Sequence, residues 1–159
     1  MRRPARENTL WAYTDGSVTD DKLAYASSAM LIQKHNPANL PQIIVETRPA
    51  PTEYSSIKAE INGVSLAIQE ALKQNFKNLV IFHDLDSLNP DIVSETVRNN
   101  KNHELYSYYQ QIESISKEIN ILFMKVTGHK NSYNNIVDTV AHGNANKLRD
   151  QLAELKLSY

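Results

Sequence analysis

Apolar and polar residues follow two different rhythms along this chain, and the switch between them predicts its architecture. Leu10-Trp11-Ala12-Tyr13 is an apolar, aromatic segment that runs into Thr14-Asp15-Gly16-Ser17, which predicts a strand over 9–18 ending in a small polar turn. Ala24 to Ile32 predicts a second strand, and Pro41 to Thr47 a third, with polar turns at Thr19-Asp20-Asp21-Lys22 and His35-Asn36-Pro37-Ala38-Asn39. The period then changes. Ile57, Ile61, Val64, Ile68 and Leu72 recur at three- and four-residue steps, which predicts an amphipathic helix over 54–74. Leu79-Val80-Ile81-Phe82 is a continuous apolar run, the mark of a strand covered on both faces. A weaker helix is expected over 88–98, a further one over 105–119, and a fifth strand over 120–126. Val137, Val140, Ala141, Leu148 and Leu152 mark a final helix. The order βββαβααβα predicts an α/β (α+β) domain with a mixed sheet and crossover helices. That domain is expected over 9–153, with tails at 1–8 and 154–159.

Composition narrows the picture. At 159 residues, 41% of them hydrophobic, the chain is one domain able to bury a core. No apolar run approaches the roughly 20 residues needed to span a bilayer, and the charged start (Arg2, Arg3, Arg6) has no apolar segment behind it to make a secretory signal. Cysteine is absent, which excludes disulfides and thiolate metal sites and fits a reducing, intracellular compartment, cytoplasm or nucleus alike. A net charge of −1 means that any handling of nucleic acid proceeds without a large positive field.

Against this background four acids stand out by position. Asp15 lies on the first strand, Asp84 at the carboxyl end of the fourth, Asp138 in the first turns of the last helix, and Glu60 beside the apolar stripe of the first helix. Ligands collect at the carboxyl ends of parallel strands in such sheets. Four acids in one place cannot all stay ionised without a cation, and oxygen-only ligands favour Mg²⁺ or Mn²⁺ over zinc. Each acid alone reads more readily as a solvated surface charge. Their joint placement is what favours a site. Gly16 would let the backbone approach a ligand closely.

With these pieces in order, the chain resembles the type 1 ribonuclease H family. The matching segments are Tyr13-Thr14-Asp15-Gly16-Ser17, Lys58-Ala59-Glu60, Ile81-Phe82-His83-Asp84, and Thr127-Gly128-His129 followed by Asn134-Asn135-Ile136-Val137-Asp138. The resemblance covers 9–152. It implies a five-stranded mixed sheet with helices on both faces, and an endonuclease that cuts the RNA strand of RNA–DNA hybrids with two Mg²⁺ ions, Mn²⁺ substituting. By position, Asp15 would bridge both metals, Glu60 and Asp84 would complete one shell, and Asp138 would hold the other. His129 would assist proton traffic and product departure. Gly16, Ser17, Ser55, Ser56 and Asn134 would meet the substrate. Asp86 competes with Asp84 for the strand-four position. Asp84 is preferred because it directly follows the apolar run, which leaves Asp86 to cap the next helix.

Departures from the family pattern bear on grip. Ile57 stands where relatives carry Asn or Gln, Lys22, Leu23 and Ala24 replace the usual glycines, and the segment 99–104 is too short for a basic helical handle. The sequence as given has no hybrid-binding module before the domain, so such a module, or a reverse transcriptase, is the expected partner of an otherwise monomeric protein. Two other readings stay open. One is a catalytically silent ribonuclease-H-like module that binds nucleic acid or protein. The other keeps the scaffold and changes the polymer, as in exonucleases, integrases and resolvases.

Overall fold

The computed structural model describes residues 8–33, 40–127 and 131–157. Five strands, β1 (Thr9–Val18), β2 (Ala24–Ile32), β3 (Gln42–Pro49), β4 (Asn78–His83) and β5 (Asn120–Lys125), form one sheet in the order β3-β2-β1-β4-β5. The first three make an antiparallel meander, and β4 and β5 add in parallel to β1. The mixed sheet follows from the connections. Short turns return the chain antiparallel, whereas parallel neighbours need the long helical crossovers that follow β3 and β4.

Helix α1 (Ser56–Lys73) and helix α3 (Tyr106–Ile115) cover one face, where Leu10, Ala12, Ala29, Leu31, Leu79, Ile81 and Phe123 meet Val64, Ile68, Tyr108, Tyr109 and Ile112. Helix α4 (Ser132–Leu157) crosses the other face, with Val137 packed on Tyr13 and Met30. Helices therefore lie on both faces, and β2 is buried along nearly its whole length because β1, β3, α1 and α4 enclose it. Among the described residues, no helix is long and apolar enough to cross a membrane.

Two sequence expectations need correction. The stripe of α1 that faces the sheet is Ala59, Gly63, Val64, Ala67, Ile68 and Ala71, while Leu72 is exposed and Ile57 and Ile61 only flank the core. A helix that lies close over a sheet needs small side chains at the line of contact, so the larger aliphatics move to its edges. The helix expected over 88–98 is broken into two single 3-10 turns, Asp86–Leu88 and Pro90–Ile92, and a short α2 (Glu95–Arg98). Pro90 disfavours helical backbone at Asn89, which is extended, and the side chains of Asn89 and Ser94 each accept an amide N–H at the start of a short turn.

Candidate active site

The parallel register of β1 and β4 brings the first two acids together. Tyr13 pairs with Phe82, so two residues further along, where both strands run out toward the same end, Asp15 comes beside Asp84. Helix α1 supplies the third acid from below. A Cβ on Gly16 would fall 2.2–2.4 Å from the backbone of Ala59 and Glu60, and one on Gly63 would fall 2.8 Å from the Asp15 carbonyl oxygen. Only two glycines at this crossing allow the start of α1 to lie against β1, and this contact delivers Glu60 to Asp15.

The outcome is a tight group. One carboxylate oxygen from each of Asp15, Glu60 and Asp84 lies within 4.8 Å of the others. Asp15 is 3% exposed, and its Oδ1 accepts the Gly16 N–H at 2.8 Å. Asp138, arriving on α4 from the opposite face, reaches the Asp15 carboxyl as well, and so does Glu60. Burial pushes the carboxyls of Asp15 and Glu60 up from their ordinary range, and for Glu60 the adjacent Asp15 and Asp84 push further in the same direction. Glu60 Oε2 is buried and has no hydrogen-bond partner among the described residues. An all-oxygen cluster that includes a carboxylate with an orphaned oxygen is the donor set of a hard divalent cation. The residues present fit such an ion.

The remaining expected residues are placed as follows. Ser17 sits two residues past Asp15 with its Oγ 3.3 Å from Nδ1 of His142. His142, absent from the sequence reading, is exposed, and its spacing of four residues from Asp138 puts both on one face of α4, which is the signal that could have found it. Ser55 donates its hydroxyl to Glu104 at 2.8 Å, and Ser56 is exposed at the first turn of α1. Asn134 is 2% exposed, with its N–H given to Asn131 Oδ1 at 3.0 Å. His129 lies outside the described residues. Asp86 is no helix cap: it is the first residue of a 3-10 turn and pairs with Lys125 at 3.0 Å on the surface. His83, also missed, is 1% exposed and edge-on to Phe123, and burial pushes its imidazole down, which keeps it neutral directly before Asp84.

The model of the reverse transcriptase-like family matches residues 13–143. No curated protein matches the chain in sequence. Among solved structures, the chain resembles the ribonuclease H1 of the halophilic archaeon Halobacterium salinarum NRC-1, at 13% identity with a TM-score of 0.67, over 87% of this chain and 98% of that one. It also resembles the N-terminal ribonuclease H domain of rv2228c from Mycobacterium tuberculosis, at 16% identity and TM-score 0.64, over 93% and 98%. A third likeness is LC11-RNase H1 from a compost metagenome, solved in complex with RNA/DNA hybrid, at 13% identity and TM-score 0.61, over 87% and 98%. At these identities the structural likeness establishes the fold.

Proposed function

We propose that this chain, which belongs to the reverse transcriptase-like family of ribonuclease H proteins, is a metal-dependent endoribonuclease that hydrolyses the RNA strand of RNA–DNA hybrids. The observation that carries this reading is the convergence of Asp15, Glu60 and Asp84 within 4.8 Å, with Asp138 against Asp15. Asp15, Glu60 and Asp84 would hold one divalent cation, and Asp138 with Asp15 would hold a second. Mg²⁺ suits these donors, and Mn²⁺ replaces it. Such ions supply the charge that activates water and stabilises a departing 3′-oxygen.

The chain's own residues orient that chemistry. The Gly16 N–H fixes the rotation of the Asp15 carboxyl. His129 is assigned proton traffic and product departure. Ser17 and His142 present polar groups near the acids for the sugar–phosphate backbone, and Ser56 adds an exposed hydroxyl at the start of α1. Ile57 is packed against the core, so the polar contact that relatives make from this position is lost and grip falls to the backbone contacts. A separate basic or hybrid-binding module would raise the local substrate concentration by tethering.

The test is a pair of isosteric variants. Asp15→Asn and Asp84→Asn keep shape and remove charge, so both should fold and lose hybrid cleavage to background. Wild-type rates in either variant would refute the reading.

A further inference from the structure

Ser27 and Ser28 stand side by side in the middle of β2, and neither has any accessible surface. They pair with Gly16 and Asp15 across the antiparallel ladder. Strand alternation sends their side chains to opposite faces of the sheet. On one face the Ser27 hydroxyl donates to the Ala59 carbonyl oxygen at 2.7 Å, and on the other the Ser28 hydroxyl donates to the Val137 carbonyl oxygen at 2.7 Å. Ala59 immediately precedes Glu60, and Val137 immediately precedes Asp138.

A buried serine must find an acceptor somewhere, so one such bond would be unremarked. Two features set this pair apart. Both carbonyls lie inside helices and are already offered to amides four residues on, so the serines are not there to satisfy them. Alanine also suits this strand, as Ala26 and Ala29 on either side demonstrate, so the hydroxyls are not required to fill space. The crossing of α1 over β1 is made by Ala59, Gly16 and Gly63, whose small surfaces give the helix no stop of their own against sliding. A directional bond at the residue before the acid supplies that stop.

We propose that Ser27 and Ser28 are positioning residues that pin α1 and α4 to opposite faces of β2, and thereby hold Glu60 and Asp138 in register with Asp15 for cation binding. The proposal rests on the metal-dependent reading given above. It is tested by calorimetric titration of Ca²⁺ into the wild type, Ser27→Ala, Ser28→Ala and the two Ser→Thr variants, with folding followed by circular dichroism. The core variant Ile112→Ala, in α3 away from the acids, serves as a control for stability loss alone.

Each Ser→Ala variant should stay folded and bind Ca²⁺ about tenfold more weakly, at the low end of the effect of outer-shell partners. Threonine, which retains the hydroxyl, should restore most of the affinity, and Ile112→Ala should melt earlier with affinity unchanged. If an alanine variant fails to fold, the near-isosteric Ser→Cys, a weak donor, takes its place with the same expected loss. Equal affinity in wild type and the alanine or cysteine variants overturns the proposal, as does an equal loss in Ile112→Ala. Absence of Ca²⁺ binding by the wild type is a different result, because it overturns the nuclease reading and this proposal with it.

Discussion

Asp15 is buried, Glu60 half-buried, and their carboxyls interact, so without a cation their ionisation works against the fold. With native pKa values raised above the unfolded value near ~4, the native state binds more protons than the unfolded chain. Their contribution to stability is therefore full at low pH and is lost as pH rises through the raised native values. His83 acts in the opposite sense, since its depressed native pKa adds stability as pH rises from that depressed value up to the ordinary imidazole value. Comparison of variants cancels that term. In chelator, Glu60→Gln should melt above the wild type by a margin that widens from pH 5 to pH 8, and Ca²⁺ should stabilise the wild type more at pH 8 than at pH 5. A margin that narrows with pH would show that the acids are not raised. Asp86 gives a second contrast at this scale. Its pair with Lys125 is exposed and worth at most about 1 kcal/mol. Asp86→Asn should cleave like the wild type, and a dead Asp86→Asn beside an active Asp84→Asn would reverse the assignment at the end of β4.

Among the elements, strands were more legible than the crossings between them. β1 and β2 have the expected bounds, although the apolar run of β1 marks only its first half and its polar second half continues as strand through pairing with β2. The four acids were legible because each sits at a definable place on an element. Ser27 and Ser28 were not, since only the opposed faces of β2 reveal which carbonyl each meets. Nor was the contact of Gly16 and Gly63 with α1 and β1, which depends on how near a helix comes to the sheet. Pro90, inside the helix expected over 88–98, is the residue that breaks it. The glycines make a prediction at this scale. Gly143 lies in α4, and a Cβ added there would meet nothing within 4 Å, so Gly143→Ala should stabilise by about 1 kcal/mol in urea unfolding. Gly16→Ala meets backbone and should destabilise by about 3 kcal/mol, at the upper end for overpacking. Equal effects at the two sites would mean that α1 can shift away from β1 at little cost.

For the molecule as a whole, charge limits grip. Seventeen basic residues against eighteen acidic ones leave few cations for phosphate, and the site acids repel phosphate until metal is bound. Binding of hybrid by Asp84→Asn should therefore be weak, stronger in Ca²⁺ than in chelator, and only slightly dependent on salt. Tight, metal-independent binding with a steep salt slope would contradict this. Strand choice and metal dependence are the core of the proposed activity, and a single assay reads both. Hybrid labelled separately on its RNA and DNA strands, duplex RNA and duplex DNA are each incubated with the wild type in Mg²⁺, Mn²⁺, Ca²⁺ or chelator. Internal cleavage of the RNA strand of the hybrid alone is expected, in Mg²⁺ or Mn²⁺, with none in chelator and little in Ca²⁺, whose looser coordination orients water less sharply. Cleavage that persists in chelator, an intact hybrid in every metal, or equal cutting of duplex DNA would contradict it.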